Sequence, residues 1–212
     1  MTTIVSADPA ADTVRKRYNR VAPFYDLEQA PGERLFVGRL RHELWAMMPE
    51  DARVLEIGVG TGVNMSDYPR DARVSAIDVS DRMLGRARKR AERLGVPVEL
   101  AQMDAQHLDF PDASFDAVVA TCVFCSVPDP VAGLREARRV LRPGGQLLLL
   151  EHVRSENPLA GKLMDWLSPL VVRLAGANIN RRTVENVRLA GFEGLSVSSH
   201  LLNIVKLIEA TE

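Results

Sequence analysis

Cysteine is nearly missing from this 212-residue chain, which holds only Cys122 and Cys125. Two thiols three residues apart build no disulfide framework, so a small cross-linked secreted fold is excluded. Aromatic residues make up 5% of the chain, and the formal net charge is −1. It therefore offers neither a row of base-stacking platforms nor a strong positive field, and nucleic acid is not an expected partner. No run of 18 apolar residues occurs, so no membrane-spanning helix is expected. The N-terminus, MTTIVSADPAADTVRKRY, lacks an apolar stretch of signal-peptide length. A reducing, cytoplasmic setting fits these absences. What is present is an ordinary globular balance, 46% hydrophobic and 26% charged, on a chain long enough for one good core.

The hydrophobic spacing divides the chain into a helical opening and an alternating centre. Residues 1–9 read as a loose tail. Val14, Tyr18 and Val21 repeat at helical spacing, predicting a helix over 10–22 that Pro23 interrupts. A second helix is predicted from Glu33 to Met48, with Leu35, Phe36, Leu40, Leu44 and Met47 on its apolar face. Short apolar strands then follow at 52–58, 73–78, 97–104, 114–124 and 145–153. Helices are predicted between them, one capped by Ser80 or Asp81 and closed by Gly95, another over 130–141 stopped by Arg142-Pro143-Gly144-Gly145. GQLLLLEHV is apolar almost throughout, as a central parallel strand buried on both faces is. Beyond it, 158–175 reads as helix broken by Pro169, 181–190 as helix ended by Gly191, and the remainder as two strands. Strands alternating with helices give an α/β, doubly wound, mostly parallel sheet of seven strands. The expected organisation is a single domain over 1–212. It comprises a helical cap (1–48), an alternating core (49–155) and a final segment (156–212).

The stretch VLEIGVGTGVNM follows the first strand and places Gly58, Gly60 and Gly62 at alternate positions after Glu56. Glycine supplies backbone conformations closed to other residues, and a loop there lies at the carboxyl end of the sheet, where such folds bind ligands. A dinucleotide fingerprint, G-x-G-x-x-G, would need a glycine where Val63 stands, which turns the reading away from NAD. Asp78 ends the second strand, where a carboxylate can accept from a ribose diol. Asp104 follows the third, where a carboxylate can accept from an exocyclic amine.

With the acid-flanked glycine loop, these two acids, FDAVVA as strand four and VLRPGGQLLLLE leading into strand five, residues 50–155 resemble the class I S-adenosylmethionine (SAM) dependent methyltransferases. The resemblance implies the Rossmann-like methyltransferase fold and SAM as cofactor, released as S-adenosylhomocysteine. It further implies that 49–155 is the SAM-binding core. The backbone of Gly58, Gly60, Thr61 and Gly62 would line the amino-acid part of SAM. Asp78 would hold the ribose hydroxyls and Val79 would pack on adenine. Asp104 and Ala105 would face the adenine edge, and Thr121 would lie near the sulfonium. Glu56 would act through the loop or a water.

The acceptor side is read less directly. VRKRYNRVAPFYDL is similar to the opening of ubiquinone/menaquinone-type methyltransferases and of small bacterial phospholipid N-methyltransferases. Tyr18 and Tyr25 are therefore candidates to touch SAM or line the acceptor entrance, with core packing as the alternative. Arg15, Lys16, Arg17 and Arg20 on the same helix suit an anionic membrane surface or a solvated face. The apolar segment NPLAGKLMDWLSPLVVRLAG is expected to wall a pocket for a lipid-like acceptor. His152 is a candidate base or phosphate ligand near the pocket mouth. Arg181 and Arg182 are candidates for a substrate phosphate. CVFCSV has C-x-x-C spacing but no second pair of ligands, so no metal is expected and both thiols are expected to be buried. It is also similar to small thiol methyltransferases with CSV after strand four, which keeps a thiol acceptor open. The expected activity is N-methylation of phosphatidylethanolamine, stepwise toward phosphatidylcholine, by a protein peripheral on the inner membrane face. Two alternatives remain: C- or S-methylation of a quinone precursor or small thiol, and a nucleotide-type binding module without transfer activity. The sequence leaves the oligomeric state open.

Overall fold

The computed structural model describes residues 8–27, 37–175, 178–201 and 203–212. Its helices are α1 (Pro9–Val21), α2 (Gly38–Trp45), α3 (Asp81–Leu94), α4 (Pro130–Val140), α5 (Pro158–Ala175) and α6 (Thr183–Leu189). Its strands are β1 (Arg53–Ile57), β2 (Arg73–Asp78), β3 (Val98–Gln102), β4 (Phe115–Thr121), β5 (Leu141–His152), β6 (Glu193–His200) and β7 (Val205–Thr211). They form one seven-stranded sheet in the order β3-β2-β1-β4-β5-β7-β6. The first five strands run parallel, and β7 is antiparallel to both β5 and β6. The doubly wound sheet expected from the alternation is thus present, with the Rossmann-like methyltransferase order of strands. Leu35 and Phe36, expected on the second helix, and the first seven residues of the expected tail lie outside the described residues.

Period-two alternation divides the core between the two faces of the sheet. Leu147 and Leu149 of β5, with Val118 and Ala120 of β4, pack under α4 and α6 against Leu134, Ala137 and Val187. Leu148 and Leu150, with Ala117 and Val119, pack on the other face against Leu44 and Trp45 of α2 and Leu84 and Ala87 of α3. All four leucines are fully buried, each worth about 1.5–3 kcal/mol relative to exposure.

Local signals explain the helix ends. The Ser80 hydroxyl accepts from the Met83 N–H at 3.1 Å, and Gly95 closes α3 at φ +66°. The Asp129 carboxylate accepts from the N–H groups of Val131 and Ala132, both at 3.0 Å, at the start of α4.

Three expectations change. The Arg142-Pro143-Gly144-Gly145 stop lies inside β5 rather than ahead of it. Leu141 already pairs with Phe115, the next paired residue is Gln146 opposite Ala117, and the intervening residues bulge out around Gly144 at φ +74°. Pro169 does not break α5, which runs through it. The proline removes one N–H, and it is exposed on the helix surface. Strand four ends at Thr121 rather than 124.

Candidate active site

β1 pairs with β2 on one side and β4 on the other, so the chain leaving β1 and the chain leaving β4 diverge at the switch point of the sheet. Gly58, Gly60 and Gly62 there have φ of +71°, +56° and +82°, which accounts for the density of glycine. The reasons differ along the loop. A Cβ on Gly58 would lie 2.4 Å from Val123 Cγ2, whereas a Cβ on Gly60 would meet nothing within 4 Å. Gly58 is needed for close packing, and Gly60 leaves bare backbone beside open space.

That space is a cleft of about 700 Å³, open solvent included. Gly58 and Gly60 form one wall, Asp78 and Val79 the next, Asp104 and Ala105 the far end, and Thr121 and Cys122 the side toward β4. Tyr18 and Tyr25 cover it, their ring centroids 6.3 Å apart at 63°. An adjoining cleft of about 620 Å³ continues past Tyr25, Gly60 and Thr121 to Thr61, Asn64, Arg41 and Glu56. The structure thus gathers Tyr18, Tyr25, Gly58, Gly60, Thr61, Asp78, Val79, Asp104, Ala105, Thr121 and Glu56 around two adjoining clefts. Gly62 begins the 3-10 turn Val63–Ser66 behind the loop, against Met65 and Ala87.

Each acid has its own setting. Asp78 accepts from the Gly60 N–H on one oxygen and the Ser80 N–H on the other, both at 2.8 Å. Each oxygen retains a second lone pair for a ligand hydroxyl. Burial pushes its carboxyl up to about 6, opposed by these two amides. Asp104 is buried and accepts from the Gln106 N–H at 2.9 Å and from the Gln106 side chain at 3.2 Å. Glu56 is buried and accepts from Asn64 and from the Tyr68 hydroxyl. Asn64 also donates to Thr121 Oγ1 at 3.2 Å and accepts from Arg41. Glu56 therefore holds the loop through Asn64, joining β1, β4 and α2. Burial raises its carboxyl above the usual range, with Tyr68 and Asn64 opposing.

Several residues of the site have no spacing signature. Asp26, in the helical turn at 25–27, accepts from Thr61 Oγ1, from Arg86 Nη2 at 3.1 Å and from Arg90 Nη2 at 3.0 Å. Asn19 accepts from Ser80 Oγ and donates to Asp81 Oδ1 at 2.7 Å. These contacts fasten the cover to α3 and to the glycine loop. Asp26 was visible only as one letter of FYDL, and no rule of spacing links it to residues 35 to 64 positions away. Buried Glu151 accepts from the N–H groups of Val123 and Phe124 at 2.9 and 3.0 Å. It fixes the chain leaving β4, and burial pushes its carboxyl up to about 7. Ser126 bonds the Tyr18 hydroxyl at 2.7 Å.

Other expected site residues lie apart. His152 is in the wall of neither cleft; it pairs with Val205 across β5 and β7, half-buried, and desolvation lowers its imidazole. Arg181 Nη2 donates to the Val127 carbonyl at 2.7 Å, a structural tie under the cleft. Arg182 reaches Glu185 at 3.5 Å on the surface. The two guanidiniums form no joint clamp. α5 turns Leu159, Leu163, Trp166 and Leu170 outward, and none of the four lines either cleft. Of the two thiols expected to be buried, Cys125 is and Cys122 is exposed. Cys122 leaves the strand at φ +56° and lines both clefts.

Residues 55–149 match the family described as a methyltransferase domain. The chain is 48% identical over 150 residues to the phosphatidylethanolamine N-methyltransferase of Cereibacter sphaeroides, covering 65% of this chain and 74% of that one. It is 31% identical over 204 residues to the ubiquinone/menaquinone biosynthesis C-methyltransferase UbiE of Cellvibrio japonicus, covering 87% and 80%. The crystal structure of a SAM-dependent methyltransferase from Thermotoga maritima, described as a possible histamine N-methyltransferase, superposes with a TM-score of 0.73 at 24% identity, covering 93% of this chain and 99% of that one. At that identity the superposition shows the fold alone. The sequence relatives carry the activity and remove the reading of a binding module without transfer. The chain belongs to the class I SAM-dependent methyltransferases.

Proposed function

We propose that this enzyme N-methylates the amine of phosphatidylethanolamine, stepwise toward phosphatidylcholine, at a membrane surface. The observation that carries the reading is the 48% identity to a protein of that activity. The chemistry of the cleft is consistent with it. Once its ammonium proton has passed to water, an amine attacks the methyl group with its own lone pair and needs mainly a positioned approach, whereas a quinol carbon needs a base aligned with the ring. Among the described residues no histidine lines the cleft. Burial raises the hydroxyls of Tyr18 and Tyr25 and the thiol of Cys125 above their ordinary values, so none of these three is poised to take a proton near neutrality, and Asp78, at about 6, is committed to the ribose in this reading.

SAM fits the first cleft on two observations: Gly60 leaves backbone open to a ligand, and Asp78 keeps free lone pairs facing the same space. Bound there, the cofactor supplies a methyl group on a sulfonium. In this reading Asp78 accepts from the ribose diol, and Val79 packs on the adenine, whose edge meets Asp104 and Ala105. The adjoining cleft, with Thr61 and Asn64 in its wall, receives the amino-acid end. Tyr18 and Tyr25 exclude water and line the acceptor's approach. Asp26 and Asn19 hold that cover shut.

The test is transfer of labelled methyl from SAM to phosphatidylethanolamine dispersed in detergent. Label in mono-, di- and trimethylated lipid is expected. Label in an added quinol or thiol, with none in lipid, overturns the reading in favour of C- or S-methylation, the activity class to which the UbiE similarity points.

A further inference from the structure

α5 carries an apolar surface that no described residue covers. On α5, Leu159, Leu163, Trp166 and Leu170 are 81, 54, 76 and 55% exposed. At about 100° per residue these four fall within about 60° of arc, one narrow stripe along the helix. Tryptophan is seldom left this open without a use, and a row of four large apolar side chains marks a contact surface. The charges are sorted around the stripe. Lys162 and Arg173 are exposed on one flank of it, and neither has an ion-pair partner among the described residues. Asp165, the only acid on α5, lies further round and is neutralised by Arg154 through Nε at 3.0 Å and Nη2 at 2.8 Å. Asn180 donates to the same carboxylate at 3.1 Å. The outward face is therefore apolar with a cationic border.

The helix is also anchored beside the cleft. The N–H and side-chain amide of Asn178 donate to the Cys125 carbonyl at 2.9 and 3.0 Å, next to Ser126 in the cleft wall. Ser168 donates to Asn180 Oδ1 at 2.9 Å. Among the described residues no helix is long and apolar enough to cross a membrane.

We infer that α5 docks the enzyme on an anionic phospholipid surface, with Leu159, Leu163, Trp166 and Leu170 entering the interface and Lys162 and Arg173 meeting lipid phosphates. Such a helix lies in the plane of the interface, apolar side down and cations at headgroup level. The same stripe is too small for a stable dimer. Eighteen residues make a strip about 27 Å long and about 10 Å wide, roughly 270 Å², against about 800 Å² per partner in a stable protein interface. The inference deepens the lipid-acceptor reading by assigning the surface that brings this enzyme to its substrate.

The test uses the full chain and vesicles of phosphatidylcholine with and without phosphatidylglycerol. Trp45 is buried and Trp166 exposed, and they are the only two tryptophans. A blue shift of tryptophan emission on adding anionic vesicles, lost in Trp166→Phe while that variant still floats with them, is expected. Leu163→Glu should weaken partitioning about tenfold or more. Lys162→Glu with Arg173→Glu should weaken it about fivefold per cation, on anionic vesicles only. All of these sites are exposed, so melting temperatures should hold. No vesicle binding, binding unaffected by Leu163→Glu, or a concentration-dependent dimer that Leu163→Glu disrupts would each overturn the inference. Binding is read without methyl transfer, so the two readings fail separately. Vesicle binding without methylation of phosphatidylethanolamine removes the acceptor reading alone. Methylation of detergent-dispersed lipid without binding through the stripe removes this one alone.

Discussion

Gly58→Ala and Val123→Ala form a pair whose coupling can be worked from the geometry. Gly58 sits at φ +71° with its missing Cβ directed at Val123: 2.4 Å to Cγ2, 2.8 Å to Cγ1 and 3.2 Å to Cβ. Alanine at 58 pays about 1–2 kcal/mol for the left-handed backbone. It pays a further ~1–3 kcal/mol for overlap, because Val123 is branched at Cβ and no rotation clears both methyls. The total, about 2–5 kcal/mol, lowers the melting temperature of a chain this size by about 4–20 °C. Val123→Ala alone removes two half-buried methyls and should cost about 1 kcal/mol. In the double variant the approaches at 2.4 and 2.8 Å vanish and only the Cβ contact remains. It should therefore be more stable than Gly58→Ala alone, with a favourable coupling of about 1–3 kcal/mol. Gly60→Ala is the control: its φ is +56° and nothing lies within 4 Å, so only the backbone cost is expected. Urea unfolding of the four variants and the parent gives the cycle. Additivity of Gly58→Ala and Val123→Ala within about 0.5 kcal/mol would show that Val123 does not dictate the glycine.

Gly60→Ala should lose SAM affinity out of proportion to its stability cost, since its methyl enters the ligand space; calorimetry beside a melting curve separates the two. Asp78→Asn should weaken SAM binding about tenfold or more by removing charge-assisted acceptors, and unchanged affinity would displace the ribose from this residue. Glu151, held near 7 by burial, binds a proton in the folded state that it loses earlier when unfolded. Stability should thus be greatest at the acid end of about pH 4.5–7 and fall by up to about 3 kcal/mol as pH rises through that window. Glu151→Gln should flatten this slope in unfolding curves measured across it. Asp26→Asn loosens the cover at partly exposed ion pairs, so global stability should change by about 1 kcal/mol or less, while SAM dissociation in stopped flow should speed several-fold; an unaltered off-rate would free Asp26 from the latch.

The cofactor half of the molecule was legible because its signals are local. Ser80 caps α3 three residues from the amide it accepts, and Gly58, Gly60 and Gly62 declare a backbone no other residue adopts cheaply. The parallel, doubly wound sheet followed from alternation, since parallel strands need crossovers. Errors arose where the outcome depends on what lies opposite. Arg142-Pro143-Gly144-Gly145 looks like a stop from its letters, yet β5 begins before it because Phe115 is there to pair with Leu141. Cys122 looked buried among valine and phenylalanine until the chain turned at φ +56° and exposed it.

The acceptor side shows the same limit more sharply. The letters of 158–175 predict an apolar helix, but not which way its apolar side chains point or whether protein or solvent lies beyond them. The direction is set by Arg154, Asn178 and Asn180, whose bonds to Asp165, Cys125 and Ser168 turn the helix. Those bonds span 11 to 53 positions and leave no pattern in the chain. The same holds for Asp26 and Asn19, which turn a basic amphipathic helix into a fastened cover. A ligand common to a whole family imposes one backbone shape and so writes itself into spacing. A cover and a docking face need only suitable polar partners and enough apolar area, which many sequences can supply, so their roles become readable only once the fold has chosen what each face looks toward.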